Sequence, residues 1–196
     1  MTTEPAPQPT TRERILDAAM DLFAEHGFRG TSIAEIERRV GLAAGTGSLY
    51  HHFSSKEALL REAVELEVTR GRTGLEEARA RLPRTEDPDE WHARLYEQLL
   101  VDIRSFDRLF RLMLNEGERV AEIREAIWAA LQQPTEDAIG NEPAMHAVVG
   151  AALGGYHLFS MMQGRPYNGV SQEEFIGTLV ALTRQPSGRE ARSATR

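Results

Sequence analysis

The sequence predicts an all-α protein, and three observations lead to that prediction. Five predicted helix starts have a Ser, Thr or Asp followed three residues later by Glu, a pattern that begins helices because each side chain satisfies a free backbone N–H near the other. Apolar residues recur at intervals of three and four, as on one face of a helix. No segment alternates apolar and polar residues over a length that would predict a sheet.

The first fifty residues predict three short helices. Gly27, Gly41, Gly45 and Gly47 interrupt the chain at close intervals, and glycine ends helices because it adopts the left-handed conformation without strain. The helices that fit between these breaks cover residues 11–25, 32–39 and 46–52.

The remainder of the chain predicts longer helices, because its breaks at Pro83, Pro134 and Pro166 are further apart. These helices cover residues 55–81, 88–105, 107–115, 118–132, 142–163 and 172–184. The five helix-start pairs are Thr10 and Glu13, Ser32 and Glu35, Ser54 and Glu57, Asp87 and Glu90, and Ser171 and Glu174. Together these elements predict a three-helix head at residues 10–53 and a helical domain at 54–185, between disordered tails at 1–9 and 186–196.

Composition excludes several classes of function. The chain of 196 residues has no cysteine, which rules out disulfides and thiolate metal sites and is typical of the cytoplasm. Its six histidines lack the spacing of a zinc enzyme, no Gly-x-Ser-x-Gly elbow is present, and the glycines after Gly41 lack the Lys of a phosphate-binding loop. We therefore expect no metal, no cofactor and no catalytic residues.

Two segments of the sequence decide whether a signal peptide or a membrane-spanning helix is expected. Residues 1–9 contain three prolines and no apolar run, so they are not expected to be a signal peptide. Residues 144–164 carry no formal charge and are long enough to span a bilayer, but His146, His157 and four glycines argue against that. We expect this helix to be buried within the protein or against a partner subunit, with no membrane contact.

The head has the layout of a helix-turn-helix. The helix that starts at Ser32 ends at Gly41, and the short helix that follows begins with small residues. Leu49 and Phe53 can face back onto the first two helices, which leaves Tyr50 and the polar residues around it available on the other face. In this arrangement the second helix enters the major groove of DNA and the first crosses the backbone.

An ordered series of short motifs carries a resemblance to a known family. The motifs are RILDAA at 14–19, LFAEHGF at 22–28, TSI at 31–33, GL at 41–42, SLYHHF at 48–53 and SKEAL at 55–59. In this order and spacing they resemble the tetracycline-repressor-like (TetR) transcriptional regulators. The resemblance covers residues 12–60, about a quarter of the chain, and implies a DNA-binding head followed by a ligand-binding and dimerisation domain.

The resemblance also implies roles for individual residues. Thr31 and Ser32 would bind a phosphate at the start of the second helix, and Tyr50 and Lys56 would bind phosphates across the groove. The full set expected to contact DNA is Thr31, Ser32, Thr46, Gly47, Ser48, Tyr50, His51 and Lys56. Arg12 and Arg14 sit where an amino-terminal arm could reach the DNA backbone or the minor groove.

One departure from the family pattern concerns the turn. The family has six residues between the turn glycine and the tyrosine, whereas eight residues separate Gly41 from Tyr50 here. The basic or bulky residue common in that turn is also replaced, by Ala43 and Ala44. Gly45 or Gly47 could therefore bring backbone N–H groups close to a phosphate.

The charge distribution predicts a dimer. Residues 1–60 hold six basic and eight acidic residues, within a chain of net charge −7, and only residues 29–56 are positive, with four basic against two acidic residues. Each head can therefore make few charged contacts with phosphate, so we expect two heads to act together. Double-stranded operator DNA and a second copy of the chain are the expected partners.

The carboxyl-terminal domain supplies two candidate sites. Small or flexible residues at helical spacing predict a four-helix dimer seam, formed by Ala151, Gly155, Leu158, Met162, Phe175 and Leu179. Aromatic and polar-tipped residues predict a pocket for an apolar small-molecule effector, formed by Phe106, Phe110, Met113, Trp128, Tyr156 and His157. Packing within one chain is the alternative for both sets.

These observations predict a cytoplasmic, dimeric repressor that binds a near-palindromic operator and is released by its effector. One alternative is a helical ligand-binding protein or enzyme without DNA binding. A second is an activator or coregulator of the same family, because the sequence does not separate activation from repression.

Overall fold

The computed structural model describes residues 9–45, 47–83, 85–116 and 143–184. Within these ranges the regular structure is helical and no β-strand occurs, so the predicted all-α class is confirmed. The α-helices are α1 Thr11–Gly30, α2 Ile33–Val40, α3 Lys56–Ala80, α4 Pro88–Arg104, α5 Asp107–Glu116, α6 Pro143–Gln163 and α7 Gln172–Thr183. Short 3-10 turns occupy Ser48–His51 and Tyr167–Gly169.

The helix predicted over residues 46–52 is the main error in the secondary structure. A single 3-10 turn, Ser48–His51, takes its place. Gly45 and Gly47, with φ of 76° and 71°, are in the left-handed region, which does not continue an α-helix. The helix predicted over 118–132 lies outside the described residues.

Three of the five predicted helix starts form the reciprocal cap as expected, at Thr10, Ser32 and Ser171. The prediction for Ser54 is wrong by one residue, because Ser55 Oγ accepts the Ala58 N–H at 3.0 Å and Ser55 O accepts the Leu59 N–H. Asp87 caps α4 by accepting the Asp89 N–H at 2.9 Å.

Helix α1 continues past its predicted end at residue 25, but with a break. Gly27 has φ 75° and ψ 165°, which interrupts the helical hydrogen bonds. The buried Thr31 hydroxyl lies 3.0 Å from Leu22 O and 2.9 Å from Gly27 O, so its proton is shared between two carbonyls of α1. A side chain from the next segment thus closes the end of α1.

The described residues form two compact units. Unit 1 contains residues 9–73 and 105–116, and therefore α1, α2, α5 and most of α3. Unit 2 contains residues 74–104 and 143–184, and therefore α4, α6 and α7. The predicted boundary between a DNA-binding head that ends at residue 53 and a ligand-binding domain that begins at residue 54 is a division by function, and it stays a prediction.

Unit 1 is built on the packing of α1 against α5 and α2. Its fully buried side chains include Ile15, Phe23, Ile36, Leu49, Leu59, Phe106, Leu109 and Leu112. Each such side chain contributes about 1.5–3 kcal/mol by leaving water. This shared core fixes the start of α3 and the 3-10 turn against α1.

Unit 2 has its own core between α4, α6 and α7. Its buried residues are Leu95, Tyr96, Leu99, Leu100, Val149, Leu153, Tyr156, Ile176, Leu179 and Val180. Tyr96 Oη and Thr183 Oγ1 are hydrogen-bonded at 2.8 Å beside this core. No helix among the described residues is both long and apolar enough to cross a membrane.

Candidate nucleic-acid interface

The candidate interface begins where α2 ends. Gly41 has φ 77°, and the N–H groups of Gly41 and Leu42 donate to Arg38 O at 3.2 Å and Glu37 O at 2.8 Å. This is the pairing of a glycine-terminated helix end. Arg14 of α1 donates to Val40 O at 2.7 Å, so this arginine holds the end of α2.

A buried carboxylate organises the turn that follows. Glu37, fully buried on α2, accepts the Gly45 N–H at 2.7 Å through Oε2 and the Leu49 N–H at 3.2 Å through Oε1. Gly45 lies before the 3-10 turn and Leu49 lies within it. A single side chain therefore holds the backbone both before the 3-10 turn, at Gly45, and within it, at Leu49.

The 3-10 turn shows one face to the core and another to solvent. Leu49 is fully buried and Phe53 is 2% exposed, as expected from the sequence. Tyr50 is 53% exposed and His51 is also exposed. The buried pair thus presents the tyrosine and histidine outward.

The two residues predicted at the start of α2 differ in availability. Ser32 is exposed, and its Oγ accepts the Glu35 N–H at 3.2 Å, which leaves its own hydroxyl proton for an outside acceptor. Thr31 is 2% exposed with its hydroxyl donating within unit 1. The expected phosphate contact through the Thr31 hydroxyl does not fit this geometry.

Lys56 also has contacts within unit 1. Its ammonium donates to Phe28 O and lies 4.3 Å from the centroid of the Phe28 ring. Arg12 pairs with Glu62 and lies 4.8 Å from the centroid of the Phe53 ring. Both cations connect α1 and α3 at the edge of the head, so the expected phosphate contact of Lys56 stays a prediction.

Gly47 and Ser48 are half-buried at the start of the 3-10 turn. Thr46 lies outside the described residues. The residues expected to contact DNA that the structure leaves most exposed are therefore Ser32, Tyr50 and His51, on the second helix and the turn of the predicted helix-turn-helix.

An ion cluster in unit 1 was not predicted. Arg108 of α5 donates to Glu67 Oε1 at 2.8 Å, to Asp17 Oδ1 at 3.0 Å and to Asp21 Oδ1 at 2.9 Å. Burial lowers the pKa of Arg108, but the hydrogen bonds to Glu67 and Asp21 outweigh it and raise the pKa above its usual value. The cluster connects α1, α3 and α5.

The residues predicted to bind an effector are not brought together within one unit. Phe106, Phe110 and Met113 belong to unit 1, whereas Tyr156 and His157 belong to unit 2. Trp128 lies outside the described residues. Phe106 is fully buried against Gly71, and Tyr156 stacks on Phe175 with centroids 4.2 Å apart, which is packing within the chain.

The predicted dimer seam is divided between surface and core. Met162 is 62% exposed and Ala151 is exposed, with Gly155 and Leu158 partly so. Leu179 is 4% exposed within the core of unit 2 and Phe175 stacks on Tyr156. These two residues take the intrachain packing that was the alternative, and the seam itself stays a prediction.

Unit 1 also has a shallow groove of about 500 Å³. It is lined by Ala24, Glu25, His26, Arg111, Leu114 and Asn115, none of which was predicted to bind a ligand. Among the described residues no group of three His, Asp or Glu side chains is placed to hold a metal ion.

Sequence reasoning missed Glu37 and Arg108, although a signal existed for Glu37. Ile33, Ile36, Glu37 and Val40 have the spacing of a single helix face. A carboxylate on such a face needs hydrogen-bond donors, and the longer turn contains them. Arg108 gave no local signal, because its partners are 41 to 91 residues away.

Comparison with known proteins identifies the head. Residues 15–63 match the family described as bacterial regulatory proteins, tetR family. The head of this chain is therefore similar in sequence to the DNA-binding head of the TetR family. The match includes α2, the turn and the first part of α3, and so contains the geometry described above.

Two curated transcriptional regulators are similar to part of this chain. The chain is 45% identical over 64 residues to the HTH-type transcriptional regulator UidR of Escherichia coli K12, which covers 33% of this chain and 30% of UidR. It is 32% identical over 127 residues to the HTH-type transcriptional repressor AcnR of Corynebacterium diphtheriae, which covers 62% of this chain and 64% of AcnR. Each match spans less than two thirds of the relative.

Solved structures extend the similarity of fold beyond the head. The transcriptional regulator FadR from Bacillus subtilis, solved in complex with stearoyl-CoA, aligns with a TM-score of 0.62 at 16% identity. The alignment covers 88% of this chain and 98% of FadR. The predicted combination of a helix-turn-helix head and a helical carboxyl-terminal domain is therefore confirmed as a fold.

Proposed function

We propose that this chain is a cytoplasmic, non-enzymatic transcriptional repressor that binds a near-palindromic operator as a dimer. The observation that carries the proposal is the match of residues 15–63 to the TetR family, together with a turn that exposes Tyr50 and His51. Relatives that match part of this chain in sequence are named as an HTH-type transcriptional regulator and an HTH-type transcriptional repressor.

In the proposed complex the 3-10 turn enters the major groove. Ser32 donates its hydroxyl proton to a phosphate near the amino terminus of α2, where the helix dipole favours an anion. Tyr50 donates its phenol to a phosphate across the groove, and His51 faces the base edges. Thr31, Thr46, Gly47, Ser48 and Lys56 complete the proposed contact set: Thr31 and Gly47 through backbone N–H groups, Thr46 and Ser48 through hydroxyls, and Lys56 through its charge.

The proposed effector is an apolar small molecule held by the carboxyl-terminal helices. FadR, a protein of similar fold, was solved with stearoyl-CoA, which supports a ligand with a long apolar part. Release from DNA requires the effector to bind the conformer with displaced heads more tightly than the DNA-bound one. As a set, the six predicted pocket residues remain part of this proposal.

The proposed dimer uses the exposed apolar surface of unit 2. Val148, Phe159 and Met162 on α6 are 58%, 45% and 62% exposed, an arrangement typical of a surface that a partner covers. A second copy of the chain is the proposed partner, since two heads are needed to read two half-sites.

Replacing Tyr50 by Phe tests the proposed contact with DNA. Loss of a hydrogen bond to a charged phosphate in each subunit should weaken operator binding about tenfold or more, as measured by mobility shift. Tyr167→Phe is the control, since Tyr167 lies in unit 2 and its ring stacks on Phe159. Unchanged affinity for Tyr50→Phe, with a normal melting temperature, would contradict the assignment.

A further inference from the structure

Glu37 is a charged residue in an apolar position. Its side chain is fully buried, and the residues that share its helix face include Ile36 and Val40, which are 0% and 8% exposed. Transfer of a carboxylate from water into such surroundings is costly unless hydrogen bonds replace the lost solvent. The two N–H groups of Gly45 and Leu49 supply that replacement.

The same two N–H groups need an acceptor. Leu49 lies in the first turn of a 3-10 helix, where the N–H has no acceptor within the helix. Gly45 has φ 76° in an irregular segment and directs its N–H inward. One carboxylate with two oxygens satisfies both donors, so the turn and the buried charge stabilise each other.

We propose that Glu37 is a positioning residue for DNA recognition. Its two hydrogen bonds hold Gly45 and Leu49 in place and thereby set the direction in which Tyr50 and His51 face the groove. The segment is two residues longer than the family pattern and rich in glycine, so its backbone alone leaves many conformations accessible. This inference rests on the proposed function, because its consequence is the recognition of DNA.

The exchange of Glu37 for Gln tests the proposal with little change in volume. Gln offers one acceptor oxygen and one NH2 group, so either Gly45 or Leu49 then faces a donor instead of an acceptor. Glu65→Gln is the matched control, because Glu65 is exposed on α3 and its substitution makes the same change in net charge. Both variants carry one negative charge less, and therefore share any general gain in attraction to phosphate.

Two readouts are expected to change in Glu37→Gln and not in Glu65→Gln. Amide hydrogen exchange at Gly45 and Leu49 should become at least tenfold faster in the free protein. The ratio of specific to non-specific DNA affinity, measured with a selected duplex and a scrambled duplex, should fall at least tenfold. The mass of the dimer in solution should remain that of the unmodified protein.

The two readouts separate the inference from the proposed function. If the unmodified protein selects no duplex, the proposed function fails, while the exchange rates still report on the Glu37 contacts. If it selects a duplex and Glu37→Gln discriminates equally well, the inference is overturned. Should Glu37→Gln not fold, rapid exchange of the Gly45 and Leu49 amides in the unmodified protein would overturn it, and slow exchange with loss of discrimination in Glu37→Asp would support it.

Discussion

At the scale of single residues, two buried charges organise unit 1. The buried charges are the carboxylates of Glu37 and Glu67. Glu37 accepts hydrogen bonds from two N–H groups of the turn, and Glu67, whose side chain is 8% exposed, accepts hydrogen bonds from Arg108. Removal of one partner from such a pair leaves the other charge desolvated, and this costs more than the pair contributes relative to apolar residues. Arg108 and Glu37 are therefore sites at which a single substitution has a large effect.

Arg108→Met should lower the free energy of unfolding of unit 1 by about 2–3 kcal/mol, because it leaves Glu67 buried without its bidentate partner. Urea denaturation measures the change. Arg70→Met is the control, since Arg70 and Asp17 form an exposed pair at 3.4 Å and its loss should cost no more than about 0.5 kcal/mol.

The double variant with Glu67→Met adds a second check. It should recover most of the stability lost in Arg108→Met, because no buried charge is then left unpaired, whereas Asp17 and Asp21 are exposed to water. A double variant no more stable than Arg108→Met, or a loss for Arg70→Met as large as that for Arg108→Met, would contradict this interpretation of the cluster.

At the scale of elements, Gly71 of α3 lies close to Phe106, the residue that precedes α5. A Cβ atom added at Gly71 would lie 2.5 Å from Phe106 Cε1 and 2.6 Å from Cζ, whereas one added at Gly74 would meet no atom within 4 Å. Both glycines lie inside the same helix. Substituting each glycine by alanine therefore separates the cost of the contact with Phe106 from the effect of helix propensity on stability.

Gly71→Ala should destabilise the protein by about 1–3 kcal/mol, because the buried Phe106 ring must move within a packed core. Gly74→Ala should stabilise it by about 0.5–1 kcal/mol, because alanine favours a helix and its methyl group meets open space. Thermal melting measures both. Equal effects of the two substitutions would contradict the proposed contact.

The cap of α7 makes stability depend on pH. The pKa of Glu174 is lowered by its hydrogen bonds to the Ser171 N–H and hydroxyl. Since the folded pKa lies below the unfolded one, the contribution is present above the unfolded value of 4.5 and is lost as the pH falls through the folded value.

Glu174→Gln should therefore lower the melting temperature at pH 7 and leave it close to that of the unmodified protein once the carboxyl is protonated. Melting curves between pH 7 and pH 3 measure this, with Glu173→Gln as the neighbouring control. A difference between Glu174→Gln and the unmodified protein that persists at the lowest pH would contradict the role of the charge.

Helices and caps could be predicted from the sequence because their causes are local. The reciprocal caps at Thr10, Ser32 and Ser171 need only residues three apart, and the apolar faces repeat within one helix. The conformation of the chain after Gly41 could not be predicted in this way. It depends on three glycines in the left-handed region and on a carboxylate acceptor, Glu37, in the preceding helix. A sequence pattern records the residues but not that contact.

At the scale of the whole molecule, site residues were harder to predict than elements. Leu158, Leu179 and Phe175 are all apolar residues at helical spacing, yet Leu179 belongs to the core of unit 2 and Phe175 stacks on Tyr156. Periodicity gives the buried face of a helix but not which neighbour covers it. The exposed apolar residues of α6 remain the basis of the proposed dimer.

The proposed function requires a DNA-binding head that is present twice in each complex. Selection of bound duplexes from a random pool, followed by binding at near-physiological salt against bulk competitor, tests that claim most directly. We expect enrichment of an inverted repeat, with two chains in each complex and half-sites one helical turn or a multiple apart. Equal binding of the selected pool and the bulk competitor would contradict it.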